Sequence, residues 1–128
     1  MRDRDERISV ELTDEQRYVL NRGLVEWGGP AACTDALAVA MGFASVRDLF
    51  DQTNRLLEAL DAQSPLSRWD WTRILFATEL VFASHVVGSG LEWPDTTGLD
   101  DLRTFQVLRE LQRRMAHALT PIGPRPQL

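Results

Sequence analysis

Chemistry-capable side chains are few in this sequence. Glu79 and His85 stand in its most apolar stretch, Cys33 is the single thiol, and His117 is the second of two histidines. A carboxylate in an apolar helix must be paired or protonated. Glu79 therefore reads as half of an ion pair, with Arg68, Arg103, Arg109 or Arg113 within reach, or as the acid or base of a small pocket. His85 lies six residues further on and so points to a different helical face; it reads as a helix-end histidine bonded to Ser84, Ser89 or backbone. The histidines form no HExxH pair and Cys33 no CxxC pair, so no usual zinc set is present and no metal is expected. Among its alanine neighbours Cys33 reads as a small buried hydrophobe. Gly88-Ser89-Gly90 follows a helix rather than a strand and lacks the dinucleotide spacing, so no cofactor is implied. Catalysis needs groups matched in geometry and pKa, and these candidates are isolated. The expectation is a protein that is not an enzyme, with no catalytic residue to assign. A small-ligand-binding or small enzyme domain near Glu79 and His85 stands as the second alternative.

Charge carries more information than any single motif. The formal net charge is -5, and residues 1 to 7 and 63 to 128 each cancel internally. The whole excess falls in residues 8 to 62, where Arg17, Arg22, Arg47 and Arg55 face nine carboxylates. Asp48, Asp51, Glu58 and Asp61 share one expected helix, and the last three follow helical spacings of seven and three. An acidic surface repels phosphate and accelerates encounter with a cationic partner. Affinity then needs apolar anchors, and Trp27 and Trp93 sit beside helix breaks next to Glu26, Glu92 and Asp95. These nine residues (Glu26, Trp27, Asp48, Asp51, Glu58, Asp61, Glu92, Trp93 and Asp95) form the expected partner-binding set. The leading expectation is a non-catalytic protein-interaction module, of the antitoxin or immunity type, that binds a basic protein.

The first alternative rests on Ala38-Val39-Ala40-Met41-Gly42-Phe43-Ala44-Ser45 followed by Leu49. A small residue, glycine at plus four, phenylalanine next, serine at plus seven and a large apolar residue four further on let two helices meet at a sharp corner. The segment resembles the helix-turn-helix of the arabinose-regulator class. That resemblance implies a DNA-binding regulator over residues 36 to 57, reading bases through Arg47, Gln52, Asn54 and Arg55. The same expected helix carries Asp48, Asp51, Glu58 and Asp61, a local balance of -2 that opposes phosphate contact. Nucleic acid is therefore the less favoured partner, and a packing corner is the structural counterpart of the motif.

These residues must be positioned by helices. After a charged arm over 1 to 7, Ile8, Val10 and Leu12 alternate with polar residues, as in one short extended segment. It either packs on helices or pairs with a symmetry mate. Thr13-Asp14-Glu15-Gln16 is a capping box, opening a helix to Trp27 that Gly28-Gly29 stops. Pro30 then suits the first turn of a second helix reaching Met41, buried nearly all round. Ser45 with Asp48 caps a third helix to about Ala62, its apolar side built from Leu49, Phe50, Leu56, Leu57 and Leu60. Ser64 or Ser67 opens a fourth, central helix through Val87, and Gly88-Ser89-Gly90 ends it. A turn-rich loop over Leu91 to Leu99 follows. Asp100 and Asp101 then suit the positive start of a fifth helix, and Arg113, Arg114 and His117 its negative end.

With 128 residues, 44% hydrophobic and 26% charged, the chain fits a single soluble domain with one core. The expected fold is all-α: a bundle of about five helices over 8 to 120, the second and fourth innermost, with a Pro-rich tail over 121 to 128. Helix four offers more apolar surface than a small bundle easily covers, which leaves room for a homodimer. Ile74 to Val87 is interrupted by polar residues and falls short of the ~20 needed to cross a bilayer. The opening shows no apolar signal region. All 14 basic residues are Arg, a bias that points to a GC-rich bacterial genome, and a cytoplasmic location is expected.

Overall fold

Each long helix begins where a short polar side chain can occupy free backbone donors. In the computed structural model, which describes residues 6–29 and 31–120, Thr13 accepts from Gln16 N while Gln16 Oε1 accepts from Thr13 N, closing a capping box. This opens α1 (Asp14–Val25), which tightens into a 3₁₀ turn at Glu26–Gly28. Thr34 caps α2 (Asp35–Ala40), Ser45 caps α3 (Val46–Asp61), Ser67 caps α4 (Arg68–Ala83) and Asp100 caps α6 (Asp101–Leu119). Between the last two lies α5 (Trp93–Thr97), started by Pro94.

Of the described residues 68% are helical, in six helices, beside one two-stranded sheet. That sheet pairs β1 (Arg7–Ile8) antiparallel with β2 (Leu66–Ser67), Ile8 opposite Leu66. The extended segment at Ile8 thus finds its partner within the chain. Trp71 fastens it, donating from Nε1 to Ile8 O at 2.8 Å. Arg7 belongs to this strand rather than to the arm; residues 1 to 5, Pro30 and the tail over 121 to 128 lie outside the described residues.

The core centres on α1 against α4. Val19, Leu20 and Leu24 meet Ile74, Ala77 and Val81, all essentially inaccessible. The axes approach closely because residue 23 is Gly: a Cβ there would stand 2.0 Å from Thr78 Oγ1. Leu49, Leu56 and Leu60 of α3 and Val107, Leu108, Leu111 and Met115 of α6 close the remaining sides. This corrects the expectation that helix two is an inner element. It is six residues long, Ala38 is its one buried member, and Val39 is 58% exposed. An apolar run read as an all-round buried helix is instead a short surface helix, half of it replaced by the connection before Thr34.

Two boundaries also differ from expectation. Helix α4 stops at Ala83 rather than Val87, because the chain folds back on it: Ser89 N donates to Val81 O at 2.7 Å, and Ser84 Oγ accepts from Val87 N. The outer side of α4 is less buried than its composition suggests, with Trp69 49% and Phe76 42% exposed. The loop expected over Leu91 to Leu99 contains α5, which seats Trp93 in the core with its Nε1 donating to Thr104 Oγ1 at 2.8 Å.

Candidate functional site

Helix α3 holds most of the acidic and DNA-reading candidates, and its two flanks treat them differently. Ser45 Oγ accepts from Asp48 N at 3.0 Å, and Asp48 Oδ2 reaches back to accept from Ala44 N at 2.9 Å. The bond from the Ala44 amide holds the Asp48 carboxyl below the usual carboxylate range. Asp48 is thus part of the helix start. One and two turns on, Gln52 donates to Asp48 Oδ1, and Arg55 donates twice to Gln52 Oε1.

Arg55 then crosses to α4. Its two terminal nitrogens contact Asp70 Oδ2 at 2.9 Å and Oδ1 at 3.1 Å, a bidentate pair. Asp70 is buried, and a second cation serves it: Arg73 Nη2 donates to Oδ1 at 2.6 Å. Burial pushes the Asp70 carboxyl upward, but bonds from Arg55 and Arg73 outweigh it and hold the group below its ordinary range. Arg73 also donates to Gly42 O at 3.2 Å and lies 4.5 Å above the Phe43 ring and 5.9 Å from Trp69. Gly42, at φ 101°, makes the corner that brings this carbonyl inward. The helix-turn-helix-like segment is consequently pinned to α4 through one arginine.

The outward flank carries Arg47, Asp51, Asn54, Glu58 and Asp61, all exposed. Among the described residues, Asp51, Glu58 and Asp61 make no salt bridge. Phe50, expected in the core, is 45% exposed beside them, because the buried stripe runs Leu49, Leu56, Leu60. Near the end of α3, a groove of about 250 Å³ opens toward α1, lined by Asp14, Arg17, Tyr18, Asn21, Leu60 and Asp61. Asp14 and Arg17 pair across a helical turn, and Tyr18 is anchored by donating to Thr97 O at 2.7 Å.

The remaining partner-binding candidates separate. Trp27 is 2% and Trp93 0% exposed, so neither is a surface anchor. Both rings fill the core because each indole N–H has an internal acceptor, Ala77 O for Trp27 and Thr104 Oγ1 for Trp93. Glu26 is buried too and accepts from Thr96 Oγ1, tying the 3₁₀ turn to α5. Glu92 and Asp95 are exposed at α5. Of the DNA-reading set, Arg55 and Gln52 are committed to the Asp70 network, while Arg47 and Asn54 face solvent.

The groove that Glu79 lines does not include His85. Glu79 Oε2 accepts from Gln112 Nε2 at 2.7 Å, on the wall of a groove of about 170 Å³ between α4 and α6. Its partner is an amide rather than an arginine, although Arg109 donates to that same Gln112. His85 lies outside this groove, exposed and against Gly90. Cys33 is half-buried, and burial raises its thiol pKa. Among the described residues no cluster of three or more His, Cys, Asp or Glu side chains is placed to hold a metal ion. Among the described residues no helix is long and apolar enough to cross a membrane.

Residues missed in the sequence are Asp70, Arg73, Phe50, Trp69 and Tyr18. The i, i+3 spacing of Asp70 and Arg73 was the available signal for the first two; exposure of the aromatics has no local signal. Compared with protein-family models, curated proteins and solved structures, the chain matches none.

Proposed function

We propose that this chain is a non-catalytic protein-interaction module that receives a basic protein on the outward flank of α3. The observation that carries the reading is the division of charge on that helix. Arg55, a cation able to neutralise the row, is drawn away to Asp70, while Asp51, Glu58 and Asp61 are left exposed and, among the described residues, without a salt bridge, so the flank stays net acidic with Arg47 beside them. Free carboxylates in a row raise the local concentration of a cationic partner and speed its encounter. Phe50 supplies an apolar contact in the same region, in place of the buried tryptophans. The groove at Asp61 offers that carboxylate and the Tyr18 ring to one cationic side chain, next to the Asp14–Arg17 pair. An antitoxin or immunity role, in which the module masks a nuclease or another nucleic-acid-binding protein, fits such a surface.

The test is affinity capture from the host lysate with two baits, the wild-type chain and one carrying Asp51→Lys, Glu58→Lys and Asp61→Lys. A basic protein retained by the first and lost by the second is the expected result. Retention of the same protein by both baits, or capture of a non-basic one alone, contradicts the electrostatic reading. Duplex binding at ~50 mM salt that weakens steeply as salt rises and is lost in Arg47→Ala would replace it with the DNA reading.

A further inference from the structure

We infer that the outer face of α4 and α6 is a two-fold interface between copies of this chain, with the two α6 helices antiparallel about Phe105. This surface is separate from the α3 flank. It carries exposed apolar side chains on two neighbouring long helices: Leu102 is 69% and Phe105 50% exposed on α6, Phe76 is 42% exposed on α4, and Phe105 lines the groove together with Phe82, Ala83 and Leu108. Exposed apolar side chains gathered beside a groove and framed by polar groups mark an association surface.

The charge order along α6 identifies the occupant. Asp101 stands in the first turn, exposed, while Arg109 stands near the middle and Arg113 in the second half, also exposed. Asp101 and Arg109 each lie four residues from Phe105, and positions 101, 105 and 109 share one side of the helix. Antiparallel pairing about Phe105 therefore places Asp101 of each copy opposite Arg109 of the other, twice by symmetry, while parallel pairing would set like charges together. An interface on a two-fold axis must be complementary to itself, and α6 is. The rim is already arranged: the Arg109 guanidinium lies 5.1 Å above the Phe105 ring and donates to Gln112, which donates to Glu79. Leu102 of one copy would enter the apolar groove of its mate, giving a four-helix layer of two α4/α6 pairs.

Sedimentation velocity of the full chain over a wide concentration range tests this. A monomer–dimer equilibrium is expected, weakened more than about tenfold by Phe105→Glu or Leu102→Glu, as for central interface residues. Asp101→Arg and Arg109→Asp should each weaken it, and the double variant should recover most of the loss. Circular dichroism on each variant confirms that the helices persist. In a Cys33→Ser background, Phe105→Cys should form a disulfide-linked dimer under oxidation, and Asn54→Cys on α3 should not. A monomer at every concentration overturns the inference, as does a dimer indifferent to Phe105→Glu or a double variant no better than the singles.

Discussion

On the flank of α3 that faces α4, Asp48, Gln52 and Arg55 are joined by hydrogen bonds and end on the buried Asp70 and Arg73. On the outward flank, Asp51, Glu58 and Asp61 are exposed and make no salt bridge among the described residues. The two flanks are written in the same alphabet of acids and arginines, yet one stabilises a corner of the fold and the other leaves charge available. Residue type alone does not separate them; the position of Asp70 on the neighbouring helix does. One strategically placed carboxylate converts an arginine from a candidate DNA contact into a structural clamp.

The largest expected effect breaks that clamp. Asp70→Asn leaves the buried Arg73 without its counter-ion, and removing one partner of a buried pair costs about 3–5 kcal/mol. Urea unfolding followed by circular dichroism would report it. A loss below about 1 kcal/mol would show that water or neighbouring dipoles already satisfy Arg73.

A pH titration of stability probes the same clamp without mutation. The Asp70 carboxyl is lowered in the folded chain, so its contribution is fully present above the unfolded carboxylate value of about 3.9 and is lost as pH falls through the lower folded value. Unfolding free energies of wild type and Asp70→Asn should therefore converge as pH drops below about 4. Curves that stay parallel would remove the ion pair from the account.

Smaller effects separate the flanks. Arg55 is half-exposed, and Arg55→Gln should cost about 1 kcal/mol or less, because solvent screens that pair. Asp51→Lys and Glu58→Lys, exposed and unpaired, should each change stability by no more than about 0.5 kcal/mol. A loss comparable to that of Arg55→Gln would mean that the outward flank also serves the fold.

The local chemistry of this fold was legible in the sequence, and its tertiary consequences were not. Caps at Thr13, Ser45 and Asp100 depend on residues within one helical turn, and each stands where its neighbours place it. The small strand pairing was hidden because Leu66–Ser67 is too short to show a period of two. Trp27 and Trp93 looked like surface anchors because their neighbours are glycines and carboxylates; acceptors 50 and 11 residues away bury them. Helix α2 looked internal because its residues are apolar, yet no element covers Val39, Ala36 or Ala40 sufficiently to bury them. For the candidate site, the spacing of Asp51, Glu58 and Asp61 was visible, whereas the fate of Arg55 required the position of Asp70.

The most direct measurement of the central claim is the association rate of the captured basic partner with wild-type chain and with the Asp51→Lys, Glu58→Lys variant, recorded by stopped flow as salt is raised. Steered encounter predicts a wild-type rate at low salt at least about tenfold above the variant's, with the two converging as screening increases. Equal rates and equal salt slopes would contradict the assignment of the outward flank of α3 as the docking surface.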